Sequence, residues 1–206
     1  MKKSLVTMLL VFATAAIAQQ PAAQGAPQQA TGAPGAQSGQ KKEIKDPAEY
    51  NAYVNSVQQS DPKAKAQALE AFLQTYPNSV MKEDAAELLM AAYQQAGDAQ
   101  KTLDTANRVL QINPNNIRAL ALLSYNYRAA AMQGGPQAAQ NADQAEQFGQ
   151  KGLQALQTMQ KPDGVSDADF QKLKDQTSAI FNGAVGFGTS SSSGFALPRR
   201  RSRARN

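Results

Sequence analysis

No cysteine, histidine or tryptophan occurs in the 206 residues of this chain. The first two absences remove most of the common catalytic repertoire: no thiolate nucleophile, no imidazole base, no Ser-His-Asp triad, no disulfide, and no thiolate or imidazole metal ligand. An enzyme is not expected, and no metal or cofactor is called for. Aromatic residues make up only 6% of the sequence against 42% hydrophobic residues overall, so a core must be built mainly from aliphatic side chains, which suits helices packed through Ala and Leu. Positive charge is in modest excess, with 21 Lys and Arg against 16 Asp and Glu. A basic balance ordinarily suggests nucleic acid or an anionic surface. Its location argues otherwise. Taking Lys2, Lys3 and the five arginines after Pro198 from the 21 leaves 14 basic residues against 16 acidic ones, a net −2 for the rest of the chain.

The two ends differ from the middle. Lys2 and Lys3 precede an uncharged stretch from Ser4 to Ile17 that closes on Ala16-Ile17-Ala18, the layout of a secretory signal peptide cleaved after Ala18. The stretch is short for a membrane span and is interrupted by Ser4, Thr7 and Thr14. Its short basic start is of bacterial type, which would make the mature chain periplasmic or secreted. Residues 19–40 contain only Gln, Ala, Gly, Pro, Ser and Thr, a composition with nothing to bury that predicts a flexible spacer. Residues 190–206 begin with a serine run and end with Arg199, Arg200, Arg201, Arg203 and Arg205, and are expected to be a disordered tail. In an exported protein nucleic acid is an unfavoured partner for such a tail. Anionic lipid or cell-wall polymer is the alternative.

Residues 41–189 read as helices. Apolar side chains recur at three and four, as in Leu88, Leu89 and Tyr93, then Leu103, Ala106, Val109 and Leu110, and no stretch alternates long enough for a strand, so the fold class is all-α. Asp46-Pro47 and Asp61-Pro62 each place a capping carboxylate before a proline at the first helical position. Gly97-Asp98 closes one helix and opens the next, and Ser166 with Asp169 resembles a capping box.

The same stretch repeats itself. Tyr76-Pro77-Asn78-Ser79 and Asn113-Pro114-Asn115-Asn116 end units 46–79 and 83–116, with each proline at the same place in a 34-residue unit. The second unit resembles the tetratricopeptide repeat (TPR), a helix-turn-helix of that length, through Leu89, Tyr93 and Pro114, with Ala86 and Ala106 in register and Met90 and Thr102 in slots that usually hold Gly and Ala. The first is weaker, with Ala52, Ser56 and Lys65 in slots that usually hold Leu, Tyr and Ala, although its end through Leu69, Phe72, Leu73 and Tyr76-Pro77 is similar to exported bacterial envelope members. A third unit, 117–158, carries Leu120, Leu123 and Tyr127 and has about nine extra residues around Gln133-Gly134-Gly135-Pro136. A partial fourth, 167–189, carries Phe170, Leu173, Ile180, Phe181 and Val185 and loses the pattern near Gly188, a change that a reading-frame slip would also produce. The resemblance implies a solenoid of about three and a half repeats whose first helices line a groove for a protein or peptide partner.

Carried over unit by unit, the groove-facing slots are Tyr50, Val54 and Val57, then Asp84, Glu87, Ala91 and Gln94, then Arg118, Ala121, Tyr125 and Arg128. Helical spacing also keeps Arg118, Tyr125 and Arg128 near one face, where two guanidiniums beside an aromatic ring could hold a carboxylate. Two other readings of function follow from the ends: self-association through an uncovered last helix exposing Ile180, Phe181 and Phe187, and polyanion or membrane-surface binding through the arginine tail. Asp163, Asp167 and Asp169 lack the glycine and terminal glutamate of a calcium loop. Ser166 with Lys172 or Lys174 is not a convincing catalytic pair.

Overall fold

The computed structural model describes residues 42–194. The expected signal peptide 1–18, the spacer 19–40 and the arginines of the tail lie outside the described residues. Within them the chain forms seven helices and no strand, the all-α class that the periodicity predicts. No helix among the described residues is long and apolar enough to cross a membrane.

The punctuation works locally. At α1 (Pro47–Val57) and α2 (Pro62–Thr75), Asp46 and Asp61 accept hydrogen bonds from the amides of Ala48 (2.7 Å) and Ala64 (2.8 Å). The proline that follows each cap sits where a helix leaves its N–H groups unpaired, so its missing donor is no loss. α3 (Lys82–Ala96) stops at Gly97, whose left-handed φ of +76° a side chain would disfavour, and Asp98 then accepts from the Lys101 amide (3.0 Å) to open α4 (Ala99–Ile112). α2 and α4 end two residues before their prolines because Pro77 and Pro114 push the preceding residue out of the helical region, to φ −121° at Tyr76 and φ −136° at Asn113.

α5 (Ile117–Met132) and α6 (Ala138–Gln157) take up the extra length of the third stretch mostly as helix: α6 has 20 residues where α4 has 14. The turn between them is made by Gly134 and Gly135 at positive φ. α7 (Asp167–Gly194) opens on Ser166, whose hydroxyl accepts from the Asp169 amide (3.1 Å) and donates to its carboxylate (2.7 Å).

Each helix packs on the next in sequence, and α5 also packs on α7. Leu69, Phe72 and Leu73 of α2 meet Ala85, Ala86, Leu89 and Tyr93 of α3, then Ala106 and Val109 of α4 and Leu123 of α5, in one continuous core. A second cluster joins Ile117 and Leu120 to Ala155, Leu156 and Phe181, and Leu110 and Phe148 pack against both. Ring contacts between Tyr53 and Phe72 (5.3 Å) and between Tyr127 and Phe148 (5.6 Å, stacked) tie α1 to α2 and α5 to α6. Ser56, in a slot expected to hold a large aromatic, is buried and donates to the carbonyls of Ala52 (2.7 Å) and Ala68 (3.1 Å). A hydrogen bond there joins α1 to α2 where a ring would have done so by packing.

The last helix departs from expectation at its end. It continues through Gly194, five residues into the stretch 190–206 expected as disordered. α7 runs antiparallel to α6, with Phe181 beside Gly149 and Gly152, and Gly188 beside Ala142 and Glu146, so α6 lies alongside as far as Gly188, while Thr189 and Ser190 beyond it are exposed. The hydroxyls of Thr189 and Ser190 donate to the carbonyls of Val185 (3.1 Å) and Gly186 (2.7 Å) one turn back, so these polar side chains are satisfied within the helix itself. Phe181, expected to be uncovered, is fully buried, and Ile180 and Phe187 are half-buried.

Candidate functional site

The eight side chains expected to meet a partner sit on the first helix of each pair, α1, α3 and α5, and the fold treats them very differently. Tyr50 and Tyr125 are 43% and 52% exposed, two of the few large apolar side chains left in solvent. Gln94 is exposed, and Val54 is half-buried beside Val57 on α1. Asp84 is half-buried and paired with Lys42, which reaches it at 2.7 Å from the segment leading into α1. Arg118 and Arg128 are half-buried.

Glu87 is not on the surface. It is only 5% exposed, and its carboxylate accepts from Asn116 Nδ2 (2.5 Å) and Arg118 Nη1 (3.4 Å). The reason is the start of α5. Asn116 caps that helix by accepting from the Ala119 amide (3.0 Å), and its amide nitrogen donates to Glu83 (3.0 Å) as well as Glu87. Asn113 Nδ2 donates to the same Glu83 oxygen (2.6 Å). Two acidic side chains of α3 thus clasp the turn before α5, and Glu87 is a structural residue instead of a ligand contact. Asn116 is a site residue that the repeat pattern does not single out: it stands two residues after Pro114, where the first unit has Ser79 after Pro77, and its sequence signal is a capping residue just before a helix.

Burial pushes the Glu87 carboxyl above its usual 4.5, the Asn116 hydrogen bond and Arg118 charge opposing that rise and the Glu83 and Asp84 charges adding to it. The folded chain therefore holds this proton to higher pH than the unfolded chain does. Stability from this group is greatest below about pH 4.5 and declines as pH climbs through the raised folded value. Glu87→Gln should remove that decline. Melting curves from pH 4 to 7 should show wild type losing ground to the Gln variant as pH rises; a constant difference would refute the assignment.

Arg128 is the other departure. Its Nε is buried and has no hydrogen-bond partner among the described residues, and the guanidinium lies over Gly183 of α7, where an added Cβ would come within 2.8 Å of Nη1. The face expected to carry Arg118, Tyr125 and Arg128 together is therefore split: Arg118 is turned toward Glu87, while Arg128 occupies the contact between α5 and α7.

A separate cleft of about 530 Å³ lies between α2 and the α3–α4 turn, lined by Lys63, Glu70, Tyr93, Asp98 and Lys101 among others. The Tyr93 hydroxyl donates to Glu70, and Lys101 stands over the Tyr93 ring at 5.0 Å. Burial, then the Glu70 carboxylate, raises the Tyr93 hydroxyl pKa, so this tyrosine stays protonated and holds α2 to α3. Among the described residues no cluster of carboxylates has the makings of a metal site. No family model, curated protein or solved structure matches the chain.

Proposed function

We propose that this chain is a non-enzymatic scaffold of the bacterial cell envelope, exported by its signal peptide, which binds a peptide or helix of another protein along a TPR-like solenoid. The observation that carries this reading is the contrast on the first helices. α3 and α5 bury Leu89, Tyr93, Leu120 and Leu123 on their inward faces, yet α1 and α5 leave Tyr50 and Tyr125 in solvent at slots where the resemblance places a groove. Exposed aromatics carry much of the energy of protein recognition, because a rigid ring covers area with little entropy to lose. Self-association through the last helix draws less support, since Phe181 is covered by α6. Binding through the arginine tail rests on residues outside the described ones.

Photo-crosslinking residues placed at Tyr50 and Tyr125, with exposed Asn107 and Gln111 of α4 as controls, test the reading in living cells. A shared crosslinked protein at the two tyrosines and none at α4 is the expected pattern. Equal products at all four positions, or none at the tyrosines, would sink it.

A further inference from the structure

We infer that Arg128 is the anchor of an anion subsite in the valley between α5 and α7, built to take a side-chain carboxylate from an acidic peptide. This deepens the groove reading above and rests on it. Three observations place the subsite. Arg128 is half-buried, its Nε is fully shielded and unbonded, and it belongs to no ion pair among the described residues. Its guanidinium is seated by an absence, since any side chain at Gly183 would displace Nη1. Tyr125, one helical turn before Arg128 on α5, is exposed and could reach the same ligand through its ring or hydroxyl.

The physics favours an incoming carboxylate at this arginine and not at its neighbour. A guanidinium partly withdrawn from water and left without an anion has already lost hydration, so a carboxylate that reaches it gains a charge-assisted hydrogen bond with little further desolvation. A seat fixed by helix packing also reduces the ordering that binding requires. Arg118 lacks this advantage because Glu87 already answers its charge. α5 (Ile117–Met132) and α7 (Asp167–Gly194) both extend to either side of the seat, so a segment lying along them would pass it with chain on both sides. An acidic side chain of a segment lying along the valley fits that geometry better than a chain terminus.

The test uses the full chain and a labelled peptide of alternating Glu and Leu, amidated at its C-terminus, with Gln replacing Glu in a control peptide. Fluorescence polarisation should give at least about tenfold tighter binding of the Glu peptide, a preference that weakens with added salt. Arg128→Gln should abolish the preference, and Arg118→Gln should change it by no more than about twofold. Gly183→Ala keeps every charge, suits a helix and fills the guanidinium's seat, so it should weaken the Glu peptide several-fold with no loss of melting temperature. That variant carries the test if Arg128→Gln unfolds. The inference is overturned if the wild type shows no preference for the Glu peptide, if Gly183→Ala and Arg128→Gln both bind as wild type, if Arg118→Gln loses as much, or if binding needs a free C-terminus. Crosslinks at Tyr50 and Tyr125 that persist under any of these results leave the groove reading standing and remove only the carboxylate subsite.

Discussion

Replacing Gly152 with valine should lower the melting temperature by about 10 °C, the result of about 3 kcal/mol of overpacking in a chain of this size. In an exposed helix interior the same change would be nearly neutral or favourable, because glycine weakens a helix by about 0.5–1 kcal/mol relative to alanine. The neighbour reverses the sign. A Cβ at Gly152 would lie 2.2 Å from a carbon of the Phe181 ring, and Phe181 is fully buried, so neither the ring nor the α6 backbone has room to yield. A Cβ at Gly149, one turn earlier, would likewise lie 2.9 Å from the Phe181 carbonyl, so both glycines permit the close approach of α6 and α7. The loss should fall first on α7. Hydrogen exchange should show its amides opening at lower energy than those of α2 and α3, whose core lies elsewhere. A double-mutant cycle supplies the second check: with Phe181→Ala already in place, Gly152→Val should cost about 0.5–3 kcal/mol less than it does alone. Purely additive effects would mean that the ring does not set the spacing.

Asn116→Asp should destabilise the fold by about 3 kcal/mol at neutral pH, and much of that loss should be recovered on acidification. The substitution keeps the oxygen that caps α5 and changes only the atom that faces α3. In the native chain that atom is an amide nitrogen donating to Glu83 and Glu87; in the variant it is a carboxylate oxygen beside two others, in a place that is 2% exposed. Protonating the cluster restores a donor, hence the recovery at low pH. Asn116→Ala instead removes both roles. It should lose a cap worth about 1 kcal/mol and leave Glu87 short of its nearest donor, with a weaker pH dependence than Asn116→Asp. Guanidinium unfolding of both variants at pH 4.5 and pH 7 measures the difference. Equal losses for the two variants at both pH values would show that the contacts to α3 contribute little.

Much of this was legible without coordinates. Asp46-Pro47, Asp61-Pro62, Gly97-Asp98 and the residues before Pro77 and Pro114 set helix ends through bonds and clashes that span four residues or fewer, so local spacing is enough to place them. The all-α class follows from the same range of interaction. Which of the polar side chains on α3 and α5 stay available to a partner was not legible, since their contacts come from distant parts of the chain. Glu87 reads as a surface acid until Asn116, 29 residues on, arrives beside it. Arg118 and Arg128 are the same residue type on one helix, and only Glu87 of α3 and Gly183 of α7 make one an ion pair and leave the other with none among the described residues.

The sequence by itself determined what this protein lacks and where its helices start and stop. The missing cysteine and histidine exclude thiolate and imidazole chemistry from any fold the chain could adopt, and caps and periodicity act over single turns. The tertiary structure alone decided that α6 covers α7 as far as Gly188 and which charges are spent on the fold, because a side chain is buried or exposed only relative to residues that the fold brings near.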